Sequence, residues 1–494
     1  MIIIIAGMTV PGKYLRGIPI NLSEIKDIAY AAMDRPVILG GPIRLGYGAQ
    51  GGSKADEFNL PGLVLALKDI EAFTYDILGS KSSFYNPDSI PHRSRSTQEI
   101  ARWSVKGAFV IKQHPDYPYV MCELETFRGC GRPDHCSFCT EPFYGDPDFR
   151  DITDITSEVN YLYQNGARYF RIGRQSDLFS FMAKDTGDEL PRPDPIAIEQ
   201  LYKGIRIAAP QLKVLHMDNA NPGTIAAFPD ESEKIARIIV QYHTCGDVAA
   251  MGMESADPLV VEANNLKAMP EDVLDAIRLI NRIGGVRGEN GLPELLPGIN
   301  IIHGLKNETL ETFRLNFAFL ENLLDMGLMI RRINLRQVMV FPDTPMSKQN
   351  NTDQYHDQFI KFKKKVQKKI DHPMLKRVVP TGTVLKDVMC EVHNGITFGR
   401  QLGSYPLLVG IPVKLPLGRF VDITVSGYGQ RSITGIPYPL DINNTDQKLI
   451  YHLPGIGKKR ARTIIGKRPF RDQKDLCDKV EGIEEMLPYI EFKD

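Results

Sequence analysis

The feature of this 494-residue sequence that most constrains its fold is a regular alternation of short apolar segments with amphipathic segments between residues 119 and 344. The apolar segments have the length of strands and the segments between them have helical periodicity, which is typical of a parallel sheet with helices packed outside it. The predicted strands cover residues 120–125, 169–172, 213–217, 248–253, 298–302 and 333–340. We therefore predict an α/β fold with six strand–helix units, a number that fits a partial (β/α)6 barrel with its chemistry at the C-terminal ends of the strands.

Three cysteines follow the first predicted strand at short intervals, namely Cys130, Cys136 and Cys139. Soft thiolates select iron–sulfur or zinc centres, and three of them can hold three irons of a cubane cluster while the fourth iron stays open. A structural zinc site with His135 as the fourth ligand is the alternative. The chain has seven cysteines, an odd and mostly clustered set, which argues against a disulfide framework and for a reducing compartment.

This segment resembles the cluster-binding loop of the radical S-adenosylmethionine superfamily. The resemblance lies in the Arg-Gly-Cys run that ends at Cys130 and in the Cys136-x-x-Cys139 spacing with Phe138 inside it. Five residues separate the first two cysteines, where the family usually has three. The resemblance implies a [4Fe-4S] cluster on the three cysteines, S-adenosylmethionine as the second cofactor, and its reductive cleavage to a 5′-deoxyadenosyl radical. It also implies an electron donor such as ferredoxin or flavodoxin.

Polar residues and glycines follow the predicted strands in an order similar to that of methylthiotransferase-like members of the superfamily. The motifs after the second, fourth and fifth strands correspond to contacts with the methionine amino group, the ribose and the adenine, and Lys267 to a contact with the methionine carboxylate. The resemblance implies S-adenosylmethionine contacts for Phe138, Gly173, Gln175, Glu254, Ser255, Lys267, Ile302 and Gly304.

The first 118 residues predict a small, Rossmann-like α/β domain. Apolar runs at residues 2–5 and 37–39 enclose a helical pattern over residues 22–33. A unit of this kind ahead of the core resembles the N-terminal domain of methylthiotransferases or a cobalamin-binding domain. The chain has no cysteine before Cys122 for an auxiliary cluster, and the Asp-x-His-x-x-Gly motif of cobalamin domains does not occur there. A cofactor for this domain is therefore left open.

Two further units are predicted after the core, which we place at residues 119–378. Short strands broken by glycine and proline over residues 379–443 predict a small β-barrel, which resembles the TRAM- or OB-type RNA-binding barrel of methylthiotransferases. Residues 444–494 resemble a helix-hairpin-helix domain. There, glycines let the backbone approach a phosphate and the cations that follow add charge. The residues predicted to contact nucleic acid are Gly455, Gly457, Lys458, Lys459 and Arg460.

The bulk composition limits the classes of partner. Lys and Arg total 60, as do Asp and Glu, so no global field attracts a polyanion and a nucleic-acid surface must be a local patch. Apolar runs fall short of the roughly 20 residues that span a bilayer, and we expect a cytoplasmic protein without a membrane partner. We predict a radical S-adenosylmethionine enzyme, a transferase or an oxidoreductase, that modifies a nucleic acid, RNA rather than DNA. The alternatives are an enzyme of the same class acting on a protein or small molecule, and a zinc-stabilised nucleic-acid-binding protein.

Overall fold

The computed structural model describes residues 1–7, 20–32, 35–48, 51–58, 60–80, 87–187, 190–348 and 352–493. At the N-terminus, parallel strands lie side by side in chain order, and β2 is buried along its whole length, as its unbroken apolar run predicts. The elements are β1 (Ile2–Ile5), α1 (Leu22–Ala31), β2 (Val37–Gly40), β3 (Leu63–Leu65), α2 (Ile70–Gly79) and α3 (Thr97–Gly107). Helix α1 begins at Leu22 because Asn21 and Glu24 form a capping box; Met33, the predicted end, lies outside the described residues.

The core is a parallel strand array in chain order. The strands of the array are β4 (Met121–Glu125), β7 (Tyr169–Gly173), β8 (Val214–Met217), β9 (Asn219–Ala220), β10 (Asp247–Glu254), β11 (Leu295–His303) and β12 (Arg332–Gln337). Between β4 and β7 the chain forms two short strands, β5 (Phe127–Arg128) and β6 (Asp148–Phe149), which pair antiparallel in a sheet of their own. One sheet of the array has the order β4-β7-β8 and the other has the order β9-β10-β11-β12. Only Asp218 separates β8 from β9, and its carbonyl accepts a hydrogen bond from the Ala250 amide (3.0 Å). The two sheets therefore form one continuous array that ends at β4 and β12. This order is that of the predicted partial (β/α)6 barrel.

The connections between the core strands are helical, as the alternating pattern predicts. Their apolar stripes pack on one face of the array, where side chains such as Ile155, Leu201 and Ile277 are fully buried. The helices are α4 (Ile152–Gln164), α5 (Pro195–Ala208), α6 (Pro222–Ala227), α7 (Pro229–Tyr242), α8 (Pro258–Ala263), α9 (Pro270–Gly284) and α10 (Leu310–Asp325), followed by α11 (His356–Val366) and α12 (His372–Val378). Because these helices pack on a face of the array, they leave the C-terminal ends of the strands uncovered.

Strand β12 ends earlier than the apolar run predicts because its continuation pairs with the N-terminal unit. The amide of Gly52 donates to the carbonyl of Val338 (2.7 Å), and Val340 exchanges hydrogen bonds with Ser53 and Ala55 (3.1 and 2.8 Å). A segment more than 280 residues away therefore takes over the hydrogen bonds that a longer β12 would have presented at the edge of the sheet.

Residues 384–437 form a closed five-stranded barrel, all of it within the described chain. Its strands are β13 (Val384–Asn394), β14 (Ile396–Gln401), β15 (Leu408–Ile411), β16 (Phe420–Tyr428) and β17 (Ser432–Pro437). Inward residues such as Leu385, Val409 and Ile423 belong to the same apolar cluster as the core. The two units are therefore joined by packed side chains rather than by a bare linker. The barrel is the β-structure that the short, broken strands predict; its kinship with TRAM domains stays a prediction.

The loop between β14 and β15 reaches into the strand array. The amide of Ser404 donates to Nδ1 of His216 (2.9 Å), and the hydroxyl of Tyr405 donates to Asp218 (2.6 Å), which also pairs with Arg171. A side chain at Gly403 would approach His216 to 2.8 Å, so only glycine lets the loop come this close. The β14–β15 loop of the five-stranded barrel therefore contacts β8 and the residue that follows it.

The last segment folds around its own apolar cluster, which includes Leu453, Ile464 and Leu476. It contains β18 (Leu440–Asp441), α13 (Gln447–Ile450), α14 (Lys458–Lys467), α15 (Gln473–Lys479) and β19 (Ile490–Glu491). Helices α13 and α14 are joined by a tight turn in which Gly455 has a φ of +74°, a conformation that glycine adopts without strain. Across the described ranges of the chain, no helix is long and apolar enough to cross a membrane.

Candidate iron–sulfur and S-adenosylmethionine site

The cysteine loop begins at a turn that only glycine can make. Gly129 has a φ of +95°, and a Cβ there would lie 2.4 Å from the carbonyl oxygen of Asp146. Its amide donates to Oε1 of Glu141 (2.9 Å), and its carbonyl accepts from the hydroxyl of Ser176 (3.1 Å). These interactions fix the backbone next to Cys130.

The residue before this turn connects the loop to the N-terminal unit by hydrogen bonds. Arg128 is buried, and its guanidinium donates to Asp69 (2.8 Å) and to the carbonyl of Arg95. Asp69 stands at the start of α2 and also accepts from the amide of Arg95 (2.7 Å). The Arg-Gly-Cys run thus joins the strand end, the N-terminal unit and the first cysteine.

The second half of the loop is held by the segment that follows β10. The amide and hydroxyl of Ser137 donate to the carbonyl and side-chain oxygen of Asn264 (3.0 and 2.7 Å). The amide of Cys139 donates to the carbonyl of Cys136 (3.0 Å), which closes a turn, and Arg132 donates to the carbonyl of Asn265 (2.8 Å). The Cys-x-x-Cys half therefore sits next to the chain that carries Lys267.

The loop thiols lie in an apolar setting with a cation close by. Cys136 is buried, while Cys130 and Cys139 are partly exposed. Burial raises the pKa of Cys136, and Lys267 and Arg132 act in the opposite direction. Burial likewise raises the pKa of Cys139 to about 12. Binding of these sulfurs as thiolates therefore requires a strongly cationic centre, as iron provides.

A cluster and a single metal ion place different demands on the loop cysteines. Among the residues that the structure describes, no three His, Cys, Asp or Glu side chains lie close enough to hold one metal ion. A structural zinc site needs four ligands in a compact tetrahedron, whereas a cubane takes each cysteine on a different iron, so its ligands stand further apart. The cluster on the three loop cysteines and the alternative zinc site with His135 therefore both stay predictions.

A cavity of about 370 Å³ opens beside Cys139 at the C-terminal ends of the core strands. Four residues named from the sequence line it, and they come from distant parts of the chain: Cys139, Gln175, Glu254 and Lys267. Asp218 and Asn219 also line it, and they follow the third predicted strand, where the sequence suggests substrate-facing groups. Sequence reasoning missed the other polar lining residues, which are Glu123, Glu141, Arg174, Ser176 and Asn300. The cysteine loop and the polar strand ends therefore share one cavity.

Two opposite charges face each other in this cavity. A Cβ at Gly252 would lie 2.5 Å from Oε1 of Glu254 and 3.5 Å from Nζ of Lys267, so the glycine makes room for both. Burial raises the pKa of Glu254 to about 7, against the lowering effect of Lys267, and its Oε2 has no hydrogen-bond partner among the described residues. Burial lowers the pKa of Lys267, but the nearby groups Cys136, Glu254, Cys139 and Asp177 together raise it by more. A ligand with both an ammonium and a carboxylate group matches this pair.

The missed residue Arg174 follows β7 and has a φ of +53°. Its guanidinium bonds both carboxylate oxygens of Glu141 (3.1 Å each) and lies 4.5 Å from the ring centre of Tyr144. Glu141 in turn accepts from Gly129, so this pair connects the cavity wall to the cysteine loop. The spacing of these residues in sequence gives no sign of the interaction; only the pairing of β4 with β7 brings them together.

The remaining predicted cofactor residues lie around the cavity rather than in its lining. Phe138 and Ile302 pack in the apolar cluster that contains Cys136. Ser255 is buried, and its hydroxyl accepts from the Asp257 amide (3.1 Å). Gly173 and Gly304 allow close backbone approaches, to Glu123 and to the Thr352 carbonyl. Their contacts with S-adenosylmethionine stay predictions.

The predicted nucleic-acid residues lie together at the start of α14, far from the cysteine loop in sequence. Gly457 is the N-cap and makes no side-chain capping bond. Gly455, Gly457, Lys458 and Lys459 are exposed, and Arg460 is partly buried. The helix start therefore presents backbone amides and positive charge to solvent, the arrangement that binds anions at helix N-termini.

A test of the loop geometry uses two glycines with similar φ. We expect Gly145→Ala to cost about 1–2 kcal/mol, because φ is +87° but no atom lies within 4 Å of the added Cβ. Gly129→Ala should cost more and should prevent iron loading, because its Cβ would overlap the Asp146 carbonyl. Thermal unfolding and iron content measure both effects. Equal stability and iron loading in the two variants would show that the turn is not constrained as described.

Comparison with known proteins places the chain among archaeal relatives. No family model matches the sequence. An uncharacterized protein of Methanocaldococcus jannaschii is 49% identical over 448 residues, which cover 88% of this chain and 81% of the relative. An uncharacterized protein of Archaeoglobus fulgidus is 40% identical over 492 residues, which cover 99% of this chain and 87% of the relative. The chain belongs to this archaeal protein family.

Solved structures with a similar course of the backbone include radical S-adenosylmethionine enzymes. The methyltransferase TsrM of Kitasatospora setae matches with a TM-score of 0.44 and 15% identity over 70% of this chain. The match spans 63% of TsrM, less than two thirds of that enzyme. The cobalamin-dependent enzyme OxsB matches with a TM-score of 0.43 and 14% identity over 70% of this chain and 46% of its own. Both TM-scores are below 0.5.

Proposed function

We propose that this protein is a radical S-adenosylmethionine enzyme that modifies a nucleotide in RNA. The observation that carries the proposal is that Cys139 of the cysteine loop shares one cavity with Lys267 and Glu254. Three thiols on a fixed loop can hold a cluster with an open iron, and the charged pair beside them suits the amino-acid part of S-adenosylmethionine.

In this proposal each group of the cavity has a separate task. Cys130, Cys136 and Cys139 hold the [4Fe-4S] cluster, which when bound supplies the electron that cleaves S-adenosylmethionine to a 5′-deoxyadenosyl radical. Lys267 binds the methionine carboxylate, and Glu254 offers its unpartnered carboxylate oxygen to the ammonium or ribose hydroxyls. The apolar cluster with Phe138 and Ile302 keeps water away from the loop. A reduced ferredoxin or flavodoxin would supply the electron.

The start of α14 supports a nucleic-acid substrate. Lys458 and Lys459 are exposed at a helix N-terminus whose N-cap is a glycine, and such a site binds phosphate without reading sequence. The five-stranded barrel stands between this segment and the core in the chain. A single-stranded RNA bound along these units can place one unstacked nucleotide in the cavity beside Cys139, because a base that stays stacked on its neighbours cannot enter that cavity.

The substrate is tested by RNA binding across a salt series. We expect Lys458→Gln/Lys459→Gln to weaken binding and to reduce the slope of log affinity against log salt by about 0.7 for each phosphate that the variant no longer neutralises. Lys203→Gln/Lys234→Gln is the matched control, because both lysines lie on outer core helices, away from α14. RNA should also stimulate 5′-deoxyadenosine formation by the wild-type protein. A flat salt profile together with no stimulation would exclude RNA as the substrate.

A further inference from the structure

A second cleft, of about 420 Å³, lies where the start of β12 meets the five-stranded barrel. The cleft is lined by Arg332 at the start of β12, by Arg331 just before it, by Tyr405 of the β14–β15 loop and by Arg431 of the turn between β16 and β17. It is separate from the cavity beside Cys139, and none of the tasks assigned above uses it.

The arginines of this cleft hold more positive charge than their neighbours balance. Arg331 donates to the Tyr405 carbonyl (2.8 Å), but its buried Nε has no partner among the described residues. The guanidinium of Arg332 lies 4.2 Å from the ring centre of Tyr405. Burial lowers the pKa of Arg331 to about 10, and the adjacent Arg332 contributes to this effect. The pKa of Arg332 is also lowered, by burial and by Arg336 and Arg431, although Tyr405 raises it.

Acidic residues compensate this charge only in part. Arg400 also lines the cleft, but Glu391 binds it through both carboxylate oxygens (2.7 and 3.1 Å). Asp371 is the one carboxylate among the described lining residues, and burial raises its pKa, against the lowering effect of Arg431. Arg331, Arg332 and Arg431 therefore give a net positive cleft with an unused buried donor. Guanidinium donors in this number suit an oxyanion with several oxygens, such as phosphate.

Polar residues of β12 lie between the cleft and the cavity beside Cys139. Arg332, Asn334 and Arg336 alternate along β12 and share one face of it. Asn334 donates to Asn300 (3.0 Å), a residue of the cavity lining, so this face points to the inside of the array. From Arg332 to Arg336 the strand advances about 13 Å. Polar side chains of one strand therefore extend from the cleft towards the wall of the cavity, a distance that several linked nucleotides can span.

We propose that the arginine cleft, formed by Arg331, Arg332 and Arg431, binds a backbone phosphate of the RNA strand whose target nucleotide enters the cavity beside Cys139. The inference rests on the proposed function and adds a phosphate site inside the core to the one at α14. A phosphate site of this kind positions the RNA backbone relative to the cavity beside Cys139. It does not distinguish one base from another, because phosphate contacts carry no sequence information. It thus selects a phosphodiester substrate over a free base or nucleoside.

The test is fluorescence anisotropy of a short single-stranded oligoribonucleotide with the full-length protein across a salt series. We expect Arg332→Gln and Arg431→Gln each to weaken binding about tenfold at ~0.1 M salt and to reduce the salt slope by about 0.7. Arg332→Lys should restore the slope, because it restores the charge. Arg278→Gln is the control, since Arg278 is exposed on α9 and pairs with Asp275. Wild-type slopes in both variants would overturn the inference.

Arg431 is exposed, so Arg431→Gln keeps the test open even where Arg332→Gln fails to fold. A free mononucleotide is the second source of a phosphate and is used as competitor. If it displaces the oligonucleotide at equal concentration, the cleft serves free nucleotides and the inference is wrong. Cleavage of S-adenosylmethionine by the wild-type protein without RNA is measured in parallel. Its absence refutes the proposed function, whereas cleavage together with unchanged RNA binding by the variants refutes only the cleft.

Discussion

Cys136→Ala should abolish both the iron–sulfur absorbance and the formation of 5′-deoxyadenosine, with iron falling from about four atoms per chain to near zero. The cysteine is buried in the small apolar cluster around the loop, where alanine is tolerated, so the fold should remain. Because three thiols are the whole ligand set of the proposed cluster, removing one leaves two irons without a protein ligand. Visible absorption, iron analysis and product formation under anaerobic reducing conditions measure the effect.

The matched control for this experiment is Cys477→Ala. Cys477 lies on α15, packs beside the C-terminal apolar cluster and is partly exposed, so its replacement tests for general effects of removing a thiol. We expect the control to load iron and to form product as the wild-type protein does. Iron loading and product formation by Cys136→Ala at wild-type levels would refute the assignment of the loop.

Lys267→Met should weaken S-adenosylmethionine binding by roughly 100-fold while the cluster is retained. Methionine keeps most of the length of the side chain but removes the ammonium group, and truncating one partner of a desolvated charge pair costs about 2–5 kcal/mol. The substitution also removes the cation that lowers the pKa of Glu254, so less of the carboxylate is ionised near neutral pH. Equilibrium dialysis of the reconstituted protein against S-adenosylmethionine measures the affinity, and absorbance reports the cluster.

Lys361→Met provides the comparison for the lysine variant, because Lys361 is exposed on α11. It should bind S-adenosylmethionine with wild-type affinity. If Lys267→Met binds S-adenosylmethionine as tightly as Lys361→Met does, the cavity beside Cys139 is not the S-adenosylmethionine site, even if the cluster is present.

Local patterns in the sequence predict the parts of the site that depend on short spacing. The cysteines lie within ten residues of each other, and the glycine at position 129 marks the turn that carries them. The core strands are apolar runs between amphipathic helices, so their existence and order follow from periodicity alone. Glu254 is predictable because it ends β10, where the fold concentrates polar side chains, whereas Lys267 follows α8 and is predicted only by the family resemblance.

Other features depend on long-range pairing and have no local signal. Tyr405 comes from a loop of the five-stranded barrel and reaches Asp218, 187 residues earlier, through an interaction that no spacing encodes. The early end of β12 has the same origin, because residues near Ser53 take its hydrogen bonds. Arg174 and Glu141 meet only after β4 and β7 pair. Sequence patterns therefore identify the cofactor loop better than the walls of the cavity or the cleft at Arg332.

The most direct test of the central claim is electron paramagnetic resonance of the anaerobically reconstituted, reduced protein with and without S-adenosylmethionine, together with metal analysis. Cys130, Cys136 and Cys139 leave one iron without a protein ligand, so we predict about four irons per chain and a signal that changes when S-adenosylmethionine is added. Colourless protein with one zinc per chain, or a cluster signal that S-adenosylmethionine leaves unchanged, would contradict this account.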